Sequence, residues 1–196
     1  MHGVTWYGAC AFCNFLSRIK GLDQVYEPST WECDWGKNGY RLPTEAEWVY
    51  AARGNTQNEF AWGSELKGAV CTFGGSRRIF SNGLTPVGFY DGTEKYGLAT
   101  TSNASVFGIY DLTGNVWEWC WDWYGSSYFS VSPQADPRGP QTGDIRLPWS
   151  DQATRVWKGG GLLAPPAFLR VDVRWSASSD QCYSELGFRV ARSLAY

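Results

Sequence analysis

The side chains best suited to chemistry lie in the stretch "IYDLTGNVWEWCWDWY". Here Asp111, Asn115 and Glu118 place three oxygen-bearing side chains around a turn at Gly114. Calcium prefers hard oxygen ligands, including backbone carbonyls, from a flexible loop. The carboxylates of Asp111 and Glu118, with the carbonyls of Gly114 and Val116, therefore predict a structural calcium site. The alternative is that Asp111 and Asn115 only form hydrogen bonds with their own turn.

The cysteines and the histidine offer little further chemistry. Cys10 and Cys13 form a CxxC inside an apolar helical pattern, without a second CxxC to complete a zinc site. The pattern favours two core thiols on one helix face over a redox or metal pair. The only histidine is His2, which argues against a Ser-His-Asp triad or a zinc protease. Spacing alone does not pair the scattered cysteines, which are Cys33, Cys71, Cys120 and Cys182.

A pair of carboxylates, Glu45 and Glu47, could in principle do acid–base work. A structural interpretation explains both residues better. Thr44 and Glu47 have the spacing of a capping box, and Glu45 lies where an acid favours the helix dipole. We therefore predict no catalytic role for this pair.

Two helices are predicted to position these groups. The first spans residues 5–20, with Thr5 as its cap and Gly21 as its end. The second lies in "RLPTEAEWVYAARGN", where Trp48, Ala51 and Ala52 share one face and Gly54 ends the helix.

After the second helix, glycine turns alternate with short apolar bursts, which is typical of short strands and long loops. The predicted fold class is α+β, with two helices and a small, irregular, mostly antiparallel sheet. Four alternating tryptophans predict a strand whose indoles share one face: Trp117, Trp119, Trp121 and Trp123. A core wall is the favoured interpretation, and a stacking platform for sugars is the alternative.

Composition limits the remaining function classes. The 196 residues, 43% of them hydrophobic, predict a single domain over residues 1–196. The formal charge of −2 and the lack of a basic run argue against nucleic acid as a partner. No stretch approaches the roughly 20 apolar residues of a membrane helix, so we expect membrane attachment only through an anchor outside this sequence. The start lacks the pattern of a signal peptide, and we expect a piece of a longer protein.

An ordered set of motifs resembles the formylglycine-generating enzyme (sulfatase-modifying factor) family: "YRLPTEAEWVYAARG", "FAWG", "TPVG", "FGIYDLTGNVWEWCWDWY", "DPRGP", "RVWKGG" and "LGFRVA". The resemblance covers nearly the whole chain and implies a C-type-lectin-like fold, without the family's opening strands. It also implies calcium at the "GNVWEW" loop, and Asp111, Gly114, Val116 and Glu118 are chemically suitable. A second family calcium site, near "KGAVCTF", lacks the expected Asn and Asp.

The resemblance also implies where catalysis would lie. The family's enzymes oxidise a substrate cysteine with a pair of cysteines shortly after the "GG" motif. Those positions fall near Ala164 and Leu169, and no cysteine occurs between Cys120 and Cys182. A methyl or isobutyl group cannot replace a thiolate in redox or copper–thiolate chemistry. We therefore expect a protein that is not an enzyme and requires no cofactor. The alternatives are an enzyme of this family with another mechanism, and a carbohydrate-binding module.

A narrower resemblance concerns residues 163–185. The "KGGG" before this segment, Arg170 and Arg174 within it, and the "LGFRVA" after it are similar to the fixed frame in variable proteins of diversity-generating retroelements, a group that includes a treponemal variable protein. Gly161 and Leu162 depart from the usual Ser-Trp. The resemblance implies a hypervariable ligand-binding face on a bacterial surface or secreted protein, with a protein or other macromolecule as ligand. Its residues would be Leu163, Ala164, Pro165, Ala167, Phe168, Val173, Trp175, Ser176, Ala177, Ser178, Tyr183 and Ser184. The alternative is an ordinary loop that packs its Leu, Phe and Trp inward.

Overall fold

The structure is a computed structural model that describes residues 1–66, 69–76, 78–144 and 152–193. The α-helices are α1 (Trp6–Ile19) and α2 (Glu45–Arg53), and two 3-10 helices span Tyr128–Ser130 and Pro166–Leu169. The strands are β1 (Tyr40–Arg41), β2 (Glu94–Lys95), β3 (Leu98–Ala99), β4 (Trp117–Trp123), β5 (Thr154–Lys158), β6 (Trp175–Ser178), β7 (Leu186–Phe188) and β8 (Ala191–Arg192). The predicted α+β class, with two helices and short strands, is confirmed.

The strands form one larger sheet and two small ones. The four-stranded sheet has the order β6-β5-β4-β7. The pairs β1–β8 and β2–β3 are antiparallel. Among the isolated bridges of the described residues, only Ala69 with Thr100 is parallel, which agrees with the predicted mostly antiparallel pairing.

Helix α1 begins and ends close to the predicted residues. The Thr5 hydroxyl accepts a hydrogen bond from the Gly8 amide at 3.0 Å, which satisfies one of the free donors at the helix start. After the helix, Gly21 adopts a positive φ of 68°. Cys10 and Cys13 are fully buried, and burial raises the pKa of the Cys13 thiol to about 12. The interpretation of this CxxC as core thiols is therefore confirmed.

Helix α2 has a capping partner that the sequence pattern did not predict. The amide of Glu45, its first residue, donates to Asp122 Oδ2 in β4 at 2.7 Å. Trp48 and Ala52 are buried, as the helical spacing predicts, and Gly54 with a φ of 58° follows the last turn.

Contacts divide the chain into two compact units. The first comprises Met1–Ala46, Trp119–Trp157 and Ser176–Tyr196, and the second comprises Glu47–Glu118 and Lys158–Trp175. The assignment of residues 1–196 to one domain stays a prediction. No helix within the described ranges is long and apolar enough to cross a bilayer.

An aromatic cluster around a cation forms the core of the first unit. The Arg155 guanidinium lies 3.9 Å from the Trp6 ring and 3.4 Å from the Trp123 ring, and its Nη1 donates to the Trp121 carbonyl. Trp121 stacks on Tyr26 with 5.5 Å between centroids. Contacts of this kind allow a buried arginine to keep its charge, although burial lowers its pKa to about 10.

The tryptophan side chains of β4 are buried or half-buried. Trp119 is fully buried and stacks on Trp157 at 5.8 Å. Trp117, Trp121 and Trp123 are half-buried. None of the four is exposed, so their arrangement agrees with the core wall rather than with a platform for sugars.

Candidate functional site

The loop that leads into β4 is tied to neighbouring loops of the second unit. Asp111, with a positive φ of 59°, accepts hydrogen bonds from the Gly88 amide at 2.6 Å and from Asn103 Nδ2 at 3.0 Å. The Asn115 side chain accepts from the Thr85 amide and donates to the Thr85 carbonyl, both at 3.0 Å. The alternative in which both side chains bind only their own turn is therefore wrong, because their partners are distant in sequence.

The predicted calcium ligands do not form an obvious metal site. Glu118 is buried, and its Oε2 accepts from Trp48 Nε1 at 2.7 Å. Both oxygens of Asp111 also accept N–H donors. Within the described residues, no group of three or more His, Cys, Asp or Glu side chains could hold a metal ion. This donor set therefore fits calcium poorly, and calcium at Asp111, Gly114, Val116 and Glu118 stays a prediction.

Part of the 163–185 segment lies in the second unit, where large apolar side chains reach the solvent. Leu163 is 62% exposed, Phe168 37% and Trp175 49%. The rings of Phe168 and Trp175 meet edge to face with 5.6 Å between centroids. Pro165 and Ala167 are also exposed, and Val173 is half-buried.

Buried anchors hold the backbone beneath these side chains. Leu169 and Val171 are fully buried. The Ala164 carbonyl accepts from the Gly74 amide at 2.9 Å, and the Val171 amide donates to the Glu59 carbonyl at 2.8 Å. Buried Lys158 donates from Nζ to the Val173 carbonyl at 2.6 Å. The exposed side chains therefore project from a backbone that other residues fix.

The rest of the segment lies in the first unit. Tyr183 is 40% exposed, and its ring packs on buried Trp157 with 5.5 Å between centroids. Ser184 is exposed, and its carbonyl lies 2.8 Å from His2 Nδ1. Ser176 is half-buried.

Three residues of the predicted face are not on an exposed surface. Ala164, Ala177 and Ser178 are buried, with exposed fractions of 6%, 2% and 2%. Ala164 belongs to the core of the second unit, and Ala177 and Ser178 lie in β6. Their inclusion was wrong because the mixed pattern of the segment carries no periodicity that separates inner from outer positions. For the remaining residues, ligand binding stays a prediction.

A buried cluster occupies the positions at which the resemblance places the enzyme's cysteine pair. Ala164 and Leu169 pack with Phe60, Val70 and Cys71. Burial raises the pKa of the Cys71 thiol to about 12, and the negative charge of Asp111 adds to this effect. The sequence interpretation missed the proximity of Cys71, because 93 residues separate it from Ala164 and no local spacing connects the two.

Arg170, which lies between Phe168 and Trp175 in sequence, is paired with two carboxylates. Arg170 lies 3.1 Å from a carboxylate oxygen of Asp172 and 3.6 Å from one of Glu59. These hydrogen bonds and charges lower the pKa of Asp172. The charge of Arg170 beside Phe168 and Trp175 is therefore compensated by Asp172 and Glu59.

Comparisons with known proteins agree with this architecture. The profile of the family described as "Sulfatase-modifying factor enzyme 1-like domain" matches residues 1–194. A formylglycine-generating enzyme of Streptomyces coelicolor is 39% identical over 163 residues, which are 78% of this chain and 46% of that protein. The chain thus spans about half the length of this curated relative.

Solved structures show the same fold. Treponema denticola variable protein 1 superposes with a TM-score of 0.68 and 28% identity, over 98% of this chain and 70% of that one. PvdO from Pseudomonas aeruginosa superposes with a TM-score of 0.70 and 22% identity, over 98% and 61% of the two chains. The second likeness concerns the fold alone.

Proposed function

Because the chain belongs to the sulfatase-modifying factor enzyme 1-like domain family, we propose that it is a non-catalytic member that binds a protein or other macromolecular ligand. The binding residues are the exposed members of the 163–185 segment, and those of the second unit, Leu163 to Trp175, form a hypervariable surface on a fixed scaffold. The similarity to a treponemal variable protein supports this proposal.

The observation that carries the proposal is the exposed pair formed by Phe168 and Trp175. Large exposed apolar patches often mark interaction sites, and the contact between Phe168 and Trp175 joins their exposed surfaces into one patch. Aromatic side chains supply much contact area at low entropic cost, and small neighbours such as Ala167 adapt around them. Because Ala164, Leu169 and Val171 hold the backbone, exchange of the exposed side chains leaves the scaffold in place.

The non-catalytic part of the proposal is supported by the cluster around Leu169. An oxidase that uses a cysteine pair needs accessible thiols that ionise. Ala164 and Leu169 carry no thiol, and Cys71 is buried with a raised pKa.

Sequencing the gene and its flanks in several isolates tests the proposal. A diversified face predicts a nearby near-copy of codons 155–196 that differs mainly at adenines, with substitutions concentrated at the exposed positions. An invariant segment without such a copy would refute the hypervariable surface.

The alternative function is formylglycine-type oxidation, which is favoured by the name of the Streptomyces relative. It predicts that the purified chain, with dioxygen and copper, converts the cysteine of a model peptide. We expect no conversion above a sample without protein.

The carbohydrate-binding alternative predicts selective binding to particular sugars on a glycan array. Such binding would identify a sugar, and not a protein, as the ligand.

We further propose a location at the bacterial surface or outside the cell, with any membrane attachment through an anchor outside residues 1–196. No cofactor is required for binding. Surface labelling of intact cells, followed by detection of this chain, checks the location.

A further inference from the structure

A shallow depression of about 610 Å³ in the first unit lies away in sequence from both segments discussed above. The loop that contains the "DPRGP" motif forms it, and its apolar wall consists of Tyr128, Val131, Pro133 and Pro140. The lining also includes two charged residues, Asp136 and Arg138.

The loop is held in place before any ligand arrives. The Gly139 amide donates to the Tyr128 hydroxyl at 3.1 Å. Gly139 has a φ of 80°, and a Cβ on it would lie 2.8 Å from the Cβ of Asp122, so the loop backbone packs directly on β4. The part of the wall around Gly139 and Tyr128 is therefore fixed by contacts within the first unit.

Among the described residues, Arg138 is oriented by stacking on Trp35 and not by a carboxylate. Its guanidinium lies 4.6 Å from the centroid of the Trp35 ring, and the Arg41 guanidinium lies 4.9 Å from the same ring. Across the described part of the chain, Arg138 shows no hydrogen bond or ion pair, although Asp136 is two residues away. A stacked guanidinium keeps its planar fork of donors available, and that fork matches a carboxylate.

From this arrangement we infer that the Arg138 depression binds the C-terminal residue of a polypeptide with an apolar side chain. Arg138 binds the terminal carboxylate, Asp136 accepts the backbone N–H of the same residue, and Tyr128, Val131 and the prolines contact its side chain. The depression is shallow and open to solvent, so the preceding residues of the ligand can continue away from it. The inference is independent of the function proposed for the 163–185 segment.

Three small probes test the inference by NMR titration of tryptophan and arginine side-chain N–H signals. N-acetyl-leucine carries the carboxylate, the amide N–H and the apolar side chain. N-acetyl-leucinamide lacks the carboxylate, and free leucine carries an ammonium group instead of the amide. We expect saturable binding of N-acetyl-leucine that shifts the Trp35 and Arg138 signals, and binding at least about tenfold weaker for the leucinamide, which loses the charge-assisted hydrogen bonds.

Matched variants separate binding from folding. Arg138→Gln should weaken N-acetyl-leucine binding at least about tenfold, since the ionic partner is lost. Arg18→Gln is the control, because Arg18 also lies over an aromatic ring, that of Phe15 at 5.7 Å, but does not line the depression. Equal binding by the Arg138→Gln protein, equal binding of the leucinamide, or no saturable binding of N-acetyl-leucine would overturn the inference. Tighter binding of free leucine than of N-acetyl-leucine would overturn the polypeptide as its source.

Discussion

Phe168 and Trp175 meet edge to face at 5.6 Å while 37% and 49% of their surfaces remain in contact with solvent. In contrast, Leu169, the direct neighbour of Phe168, is fully buried. One short 3-10 helix thus carries an anchor and a surface residue side by side.

This contrast predicts different costs for two adjacent substitutions. Phe168→Ala should lower the free energy of unfolding by about 1 kcal/mol, because it removes mainly the aromatic pair contact. Leu169→Ala should lower it by about 3 kcal/mol, because it leaves a cavity in the core of the second unit. Urea unfolding followed by tryptophan fluorescence measures both. Equal costs would place Phe168 in the core and contradict its assignment to a binding surface.

Gly114 should not tolerate a side chain. Its φ is 79°, and a Cβ would lie 2.6 Å from the Thr72 carbonyl oxygen. Gly114→Ala should therefore cost more than about 2 kcal/mol, from backbone strain and the close contact together. Gly97→Ala is the matched control, since Gly97 has a φ of 70° with nothing within 4 Å of a Cβ, and should cost about 1 kcal/mol. Thermal unfolding compares them, and similar melting temperatures would contradict the close packing of Gly114.

Asp122 should make stability depend on pH. Burial is the main cause that raises its pKa from 3.8 to about 7, with Glu45 adding to the rise and the Glu45 amide and Arg155 opposing it. Because the folded-state pKa lies above the unfolded one, the folded protein binds more protons between these values. The Asp122 contribution therefore favours folding most at the acidic end and is lost as the pH rises towards 7.

Asp122→Asn tests this dependence, because its amide oxygen can still accept from the Glu45 amide without a charge. The wild-type stability minus that of Asp122→Asn should fall by at most about 4 kcal/mol from pH 3.8 to about 7. Asp180→Asn, at an exposed position, controls for the general effect of exchanging an Asp for an Asn. A difference that does not vary with pH would show that Asp122 titrates normally.

The cysteines should differ in reactivity. Cys182 is exposed, whereas Cys10, Cys13 and Cys71 are buried with raised pKa values. Alkylation of the native chain by iodoacetamide at neutral pH should modify Cys182 first and reach these three only on unfolding, since the thiolate is the reacting form. Mass spectrometry with Cys182→Ser as control follows the sites. Rapid labelling of Cys71 in the native chain would contradict the prediction and would show a reactive thiol in the second unit.

Glu118 should act through its hydrogen bond to Trp48. Glu118→Ala should cost about 3 kcal/mol, because it leaves the buried Trp48 N–H without its acceptor and removes packed atoms. Glu118→Gln retains an acceptor and should cost less.

Thermal unfolding in calcium or in EDTA checks the calcium prediction. If calcium binds to Asp111 and Glu118, calcium raises the melting temperature of the wild type but not that of Asp111→Asn.

Local patterns predicted the helices well, because their determinants are close in sequence. The Thr5 cap, the buried face with Cys10 and Cys13, and the stop at Gly54 all act within a few residues. The hydrogen bond from the Glu45 amide, at the start of α2, to Asp122 was not predictable in this way, since the two residues lie 77 positions apart. For the same reason, the partners of Asp111 in other loops were missed.

The candidate surface was predicted only in part. Its exposed members Leu163, Phe168, Trp175 and Tyr183 were named from resemblance, and the structure leaves them accessible. The burial of Ala164, Ala177 and Ser178 depends on long-range packing that small residues do not reveal. An alanine or serine fits either a tight core or an exposed loop, so its identity does not decide between them.

The contact between Tyr183 and Trp157 links the fluorescence of a buried tryptophan to a side chain at the surface. Trp157 is shielded from water and stacked on Trp119, while the ring that touches it extends to the surface. A molecule that displaces Tyr183 would alter the emission of a chromophore that it never touches. Fluorescence of the unlabelled chain can therefore register occupancy before the identity of the occupant is known.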